Sequence, residues 1–123
     1  NDSANLMQEL RQAYLLQRLR LGAEKFSHID ALELATTEGS RLLNRDDIGE
    51  IREGACADLA LFSTDELRFA GAHDPLAALV LSGAHRAEAV MVNGEWKVRN
   101  GELVDVDLEE ILESQKKAAV ALV

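Results

Sequence analysis

The spacing of apolar residues changes twice along this chain, and that change limits the folds it can adopt. Residues 3–47 carry leucines and alanines at helical intervals, residues 48–104 carry short apolar runs between glycine turns, and residues 105–123 return to helical spacing. Helices followed by strands and a last helix predict a mixed α/β fold. A length of 123 residues suits one domain-sized unit.

The first predicted helix, from about Ser3 to Arg20, is apolar on more than one side. One face carries Leu6, Leu10, Tyr14 and Leu21, whereas Leu15, Leu16 and Leu19 point elsewhere. Asn1, Asp2 and Ser3 offer oxygens that can cap its first turn. A helix that is apolar on several sides is buried on several sides, which indicates packing within a larger body.

Further helix starts are marked by capping residues. Ser27 with Asp30 resembles a capping box, and Asp107 begins the last helix in the same way. Asp74 before Pro75 predicts a short helix over Leu76–Leu81, because proline needs no amide partner at the first helical position. A short helical turn is also predicted around residues 41–44.

The middle block predicts strands. Ala57–Phe62 is a compact apolar run typical of a buried strand. Asn93-Gly94 separates the strands Ala89–Val92 and Glu95–Val98, and this dipeptide favours a type I′ hairpin turn because both positions need positive φ. Asn100-Gly101 favours the same kind of turn and precedes a third short strand at Leu103-Val104.

Composition excludes some functions. The net charge of −9 argues against binding to nucleic acid or to an anionic membrane surface. The longest apolar runs, such as Ala77–Leu81, are too short to span a bilayer. Cys56 is the one cysteine, so no intrachain disulfide can form, which favours a cytoplasmic location.

The residues alone reveal no catalytic site. His28, His73 and His85 are far apart in sequence, no metal-binding motif occurs, and Cys56 has no fixed basic partner. His73 next to Asp74 suggests an oriented imidazole, but helix capping by Asp74 is the stronger interpretation. We therefore predict no catalytic residue and no metal ligand in this chain.

Three segments, in this order and spacing, carry a resemblance to a known family. They are Ala35–Leu43 (ATTEGSRLL), Ile48–Leu59 (IGEIREGACADL) and Val90–Gly101, which contains the Asn-Gly hairpin. Together they resemble the C-terminal region of amidohydrolase-superfamily deaminases, and the similarity covers nearly the whole chain. Asn1–Gln17 and His73–Val80 resemble the purine and triazine deaminase branch, most of all its 8-oxoguanine deaminases.

The resemblance implies a fold and an activity. The fold is the C-terminal part of a (β/α) barrel plus part of a small β-sandwich domain. Residues 1–47 would be the last barrel helices, 48–104 part of the sandwich with a short helix near 75–82, and 105–123 a C-terminal helix. The implied activity is hydrolytic deamination of an aminated N-heterocycle, such as 8-oxoguanine or a related purine, with zinc or iron as cofactor.

The resemblance also implies where the site lies. Metal ligands would precede this chain, so the segment alone would not be catalytic and its partner would be the remainder of the same enzyme. Asn1, Asp2 and Ser3 would belong to the loop after the eighth barrel strand, where they would either line the substrate pocket or only cap the first helix. The alternative is a non-catalytic α/β interaction module. The sequence leaves open whether the enzyme is a homo-oligomer.

Overall fold

A computed structural model describes residues 4–83 and 86–121 and contains helices followed by a small sheet and a last helix. In chain order the elements are α1 (Leu6–Leu21), α2 (His28–Ala35), α3 (Thr37–Leu42), β1 (Leu59–Leu61), a 3-10 turn (Leu67–Phe69), α4 (Pro75–Ala78), a π turn (Leu79–Gly83), β2 (Ala89–Val92), β3 (Glu95–Arg99), β4 (Glu102–Leu103) and α5 (Leu108–Ala121). The predicted order is confirmed. Within the described ranges, no helix is both long and apolar enough to cross a membrane.

Helix α1 begins later than predicted. The side-chain oxygen of Asn5 accepts hydrogen bonds from the amides of Met7 at 3.1 Å and Gln8 at 3.2 Å, so Asn5 is the N-cap. Ala4, with φ of 45°, lies outside helical backbone geometry. The predicted start at Ser3 is therefore wrong.

Helix α2 has the predicted capping box. The amide of Asp30 donates to Ser27 Oγ at 3.2 Å, and the amide of Ser27 donates to the Asp30 carboxylate at 2.6 Å. The helix ends at Thr36, whose φ of −124° and ψ of −95° break the helical path. The next helix therefore covers Thr37–Leu42, earlier than the turn predicted around residues 41–44.

The sheet has four antiparallel strands in the order β1-β2-β3-β4. Both Asn-Gly turns have the predicted positive φ, with 49° and 81° at Asn93-Gly94. Strand β1 covers Leu59–Leu61, which is shorter than the predicted Ala57–Phe62, and the Asp58 carboxylate before it accepts the Asn93 amide at 2.6 Å. The last strand comprises residues 102–103 rather than 103–104.

The main hydrophobic core packs α1 and α2 against the π turn, which precedes β2 in the chain. Leu10 and Tyr14 of α1 pack with Ala31 of α2 and with Val80, which lies in the π turn and is fully buried. The predicted helix over Leu76–Leu81 is thus α-helical only to Ala78. Helix α5 has no buried residue.

The chain buries too little of its apolar surface to be self-contained. Six hydrophobic residues are buried in the described part, whereas 22 large hydrophobic residues are exposed. The accessible surface is 9658 Å², against roughly 6500 Å² for a compact monomer of this mass. These faces are suited to packing against further protein.

Asp74 caps α4 as predicted, and this contact can be tested. Its Oδ1 atom accepts hydrogen bonds from the amides of Leu76 at 2.9 Å and Ala77 at 3.0 Å. In the gene product that carries this chain, we expect Asp74→Ala to lower the free energy of unfolding by about 0.5–2 kcal/mol. Asp74→Asn, which retains the cap, is the control. Unchanged stability of the Asp74→Ala variant would contradict a capping role.

Candidate functional site

Asn1, Asp2 and Ser3, the residues predicted to contact substrate, lie outside the described residues. The described chain resumes beside them at Ala4 and Asn5. Because Asn5 already caps α1, the first turn of that helix does not require a cap from the three preceding residues.

An open apolar groove of about 980 Å³ adjoins the start of α1. It is lined by Ala4–Met7 and Leu10, by Leu32, Ala35, Thr36, Gly39, Ser40 and Leu43, by Ile48–Ile51, and by Asp58–Ala60, Phe62, Leu79, Ala87 and Val90. Its two carboxylates are already engaged, Asp58 by the Asn93 amide and Glu50 by Arg52 at 2.8 Å. We therefore assign packing rather than acid–base chemistry to this groove.

A second, more polar groove of about 490 Å³ lies between α1 and the π turn. Its lining comprises Met7, Gln8, Arg11, Gln12, Leu15 and Leu81–Gly83. Arg11 Nε donates to the Leu81 carbonyl at 3.0 Å, and Arg68 donates to the Gly83 carbonyl at 2.9 Å. Both guanidinium groups thus satisfy carbonyls of the π turn, which is a structural role.

The described residues do not fit a metal centre. Across residues 4–83 and 86–121, no three His, Cys, Asp or Glu side chains lie close enough together to hold a metal ion. Structural and catalytic zinc sites need three or four such ligands. We assign no catalytic step through a metal to these residues.

Cys56 lies in a polar cluster that the sequence did not predict. Its Sγ donates to Asp47 Oδ2 at 3.1 Å, and Arg45 holds the same carboxylate through two hydrogen bonds of 2.8 and 2.7 Å. The hydrogen bond to Asp47, followed by burial, raises the pKa of the Cys56 thiol. Arg45 above all lowers the pKa of Asp47, so the carboxylate stays charged beside a protonated thiol. Such a thiol is a poor nucleophile.

This geometry predicts the reactivity of Cys56. At pH 8 we expect Asp47→Asn to accelerate alkylation of the thiol by iodoacetamide, because it removes the negative charge that disfavours the thiolate. Mass spectrometry of the modified peptide measures the rate. Asp46→Asn is the control. It neutralises a neighbouring carboxylate for which no hydrogen bond to the thiol is described. Equal rates in both variants would show that Asp47 does not hold the thiol protonated.

Asp74 does contact an imidazole, but not that of its neighbour His73. His28 Nε2, at the start of α2, lies 3.1 Å from Asp74 Oδ2. Hydrogen bonding from the Ala77 amide is the largest cause that lowers the pKa of Asp74, and His28 adds to it. The two residues are too far apart in sequence for any local pattern to pair them.

The chain is similar to known enzymes along its length. A model of the amidohydrolase family matches residues 1–97. The chain is 51% identical to the 8-oxoguanine deaminase of Pseudomonas aeruginosa over 123 residues, which are 100% of this chain and 27% of that protein.

Solved structures agree with this similarity. An atrazine chlorohydrolase from Arthrobacter aurescens TC1, complexed with zinc, superposes with a TM-score of 0.84 and 34% identity over 90% of this chain and 25% of its own. An adenosine deaminase from Xanthomonas campestris with bound zinc gives a TM-score of 0.86 and 26% identity over 95% of this chain and 28% of its own. The chain thus spans about a quarter of the length of these relatives. It belongs to the amidohydrolase family, in the purine and triazine deaminase branch, and has the α/β fold of part of such an enzyme.

Proposed function

We propose that this chain is the C-terminal part of a hydrolytic deaminase that releases ammonia from an aminated N-heterocycle, with 8-oxoguanine or a related purine as its substrate. The observation that carries the proposal is the 51% identity to an 8-oxoguanine deaminase over the whole chain. The reaction adds water to the ring carbon that bears the amino group. The carbon–nitrogen bond then breaks, and ammonia leaves with the proton it gains.

The role proposed for this chain is to complete the protein around the site. Residues 1–47 would supply the last barrel helices, residues 48–104 part of the small sandwich, and residues 105–123 a C-terminal helix. The large exposed apolar surface supports the remainder of the same enzyme as the partner of these faces. The core around Val80, which joins α1 and α2 to the π turn, would provide a rigid base for the loop before α1.

Asn1, Asp2 and Ser3 are proposed to line the substrate pocket from that loop. Cap formation by Asn5 supports this assignment, since the first turn of α1 does not require a cap from the residues before it. The cofactor is proposed to be zinc, with iron as the alternative, and zinc in the related structures supports the choice. Ligands for it would come from the rest of the enzyme, because the described part of this chain offers no suitable cluster.

A cytoplasmic location is proposed as well. It rests on the single cysteine, Cys56, whose thiol is free. The net charge of −9 supports a small-molecule substrate over nucleic acid, since an acidic surface repels phosphates.

Ammonia release from a panel of compounds tests the proposed chemistry. The purified gene product is offered 8-oxoguanine, guanine, adenine, cytosine and aminotriazines, together with a hydantoin and dihydroorotate as ring amides. We expect turnover within the first group, with 8-oxoguanine preferred. If the protein opens a ring amide and leaves the aminated compounds unchanged, the proposed substrate class is wrong. If it acts on neither group, the non-catalytic interaction module is favoured.

A further inference from the structure

Two of the five asparagines in the chain are followed by glycine, and both lie in tight turns of the sheet. They are Asn93 and Asn100, with φ of 49° and 53°. Both residues are exposed, so water reaches them. An Asn-Gly pair is chemically labile, because glycine has no side chain that hinders attack of its backbone nitrogen on the side-chain carbon of the asparagine.

The reaction of such a pair is deamidation, and it consumes one molecule of water. The backbone nitrogen of the glycine forms a bond to Cγ of the asparagine, the bond from Cγ to the side-chain nitrogen breaks, and ammonia leaves with the proton that the backbone nitrogen gives up. Water then opens the resulting succinimide ring to aspartate or isoaspartate. Because the ring nitrogen carries no hydrogen, a glycine amide that donates a hydrogen bond must lose that bond before the ring can close.

In both turns the glycine amide already donates to another segment of the chain. The Gly94 amide donates to the Ala57 carbonyl at 3.1 Å, and the Gly101 amide donates to the Glu88 carbonyl at 2.8 Å. Ring closure at either turn therefore requires that the turn first separates from its partner segment.

The turn at Asn93 has a second anchor. The Asn93 amide donates to the Asp58 carboxylate at 2.6 Å, next to the hydrogen bond between Gly94 and Ala57. Two consecutive amides of this turn are thus held by two consecutive residues that precede β1. The Asp58 side chain is the one of these two acceptors that a substitution can remove.

We propose that Asn93 and Asn100 are deamidation sites that the folded sheet protects, and that Asp58 contributes to the protection of Asn93. Deamidation would add one negative charge to a chain whose net charge is already −9. The isoaspartate product also places an extra carbon atom in the backbone of a two-residue turn. A modified turn then no longer has the backbone spacing that a type I′ hairpin requires.

Peptide mapping of the gene product by mass spectrometry, during incubation at pH 7.5 and 37 °C, measures both reactions. Synthetic peptides of residues 90–97 and 97–104 give the rates without the fold in the same buffer. Asp58→Ala removes the acceptor of the Asn93 amide, whereas Asp58→Asn keeps a side-chain oxygen there and is the matched control. Asn100 is the internal reference in every sample.

We expect both sites in the folded wild-type protein to react at least about 5-fold more slowly than in the peptides, the equivalent of one hydrogen bond. Asp58→Ala should raise the rate at Asn93 by about 5-fold relative to the rate at Asn100, and Asp58→Asn should match wild type. Equal rates in the folded protein and the peptides, or an unchanged ratio of the two rates in Asp58→Ala, would overturn the proposal. If Asp58→Ala does not fold, the comparison of wild type with the peptides decides alone.

Discussion

Replacing Gly49 by alanine is expected to destabilise the protein by about 2–5 kcal/mol, because it combines an unfavourable backbone conformation with a steric clash. Gly49 has φ of +93°. A Cβ atom there would lie 2.8 Å from Ser40 Oγ, 2.9 Å from Ser40 Cβ and 3.0 Å from the Thr36 carbonyl oxygen. The two distances to Ser40 are shorter than real Cβ contacts, so those atoms would have to move, and the distance to the Thr36 carbonyl is tighter than most Cβ contacts.

The neighbours of Gly49 have little freedom to move. Ser40 is buried, and its Oγ donates to the Thr37 carbonyl at 2.7 Å. The Thr36 carbonyl accepts the Ser40 amide at 3.0 Å and so belongs to the start of α3. The glycine of the Ile48-Gly49 segment therefore lets this loop lie directly against that helix.

Gly54→Ala is the matched control for this prediction. Gly54 has a similar φ of +82°, but no atom lies within 4 Å of the Cβ position. The Gly54→Ala substitution should lower the free energy of unfolding by about 1–2 kcal/mol, which is the cost of the unfavourable backbone conformation alone. Chemical denaturation of both variants of the gene product gives the comparison. Equal losses of stability would show that the contact between Gly49 and Ser40 does not contribute.

The 123-residue chain on its own is expected to associate, or to lack a cooperative unfolding transition. Its exposed large hydrophobic residues far outnumber its buried ones, and β1 and β4 leave open edges on the described sheet. Light scattering after size-exclusion chromatography, together with calorimetry, measures both properties. Co-expression with the upstream part of the gene product should restore a soluble, cooperative species. A monomer with a sharp thermal transition would contradict this expectation.

Features set by neighbouring residues could be predicted from the sequence. Asn93-Gly94 has few alternatives to a tight turn, because a type I′ turn demands positive φ at both positions. The Ser27–Asp30 box and the Asp74 cap likewise depend on residues within three positions of each other. These predictions are confirmed because the conformation that the neighbouring residues favour is the one that the fold has at each position.

The sequence did not predict features that depend on tertiary contacts, or on which of several neighbouring polar side chains forms a hydrogen bond. Several polar residues precede α1, and the choice of Asn5 depends on which side chain reaches the first amides. The π turn holds Val80 in the core, which a helical spacing pattern cannot distinguish from a longer α-helix. The pairing of His28 with Asp74 depends on how α2 packs against α4, and no spacing in the sequence encodes it.

Ammonia release from 8-oxoguanine, measured before and after removal of metal from the gene product, tests the central claim most directly. The family relationship and the zinc in related structures predict release by the metal-replete protein, loss after treatment with a chelator, and recovery on return of zinc. His28→Gln, His73→Gln and Cys56→Ser should each retain the bound metal, because the ligands are proposed to come from the rest of the enzyme. Metal-replete, folded protein that leaves 8-oxoguanine and the other aminated heterocycles intact would contradict the proposed function.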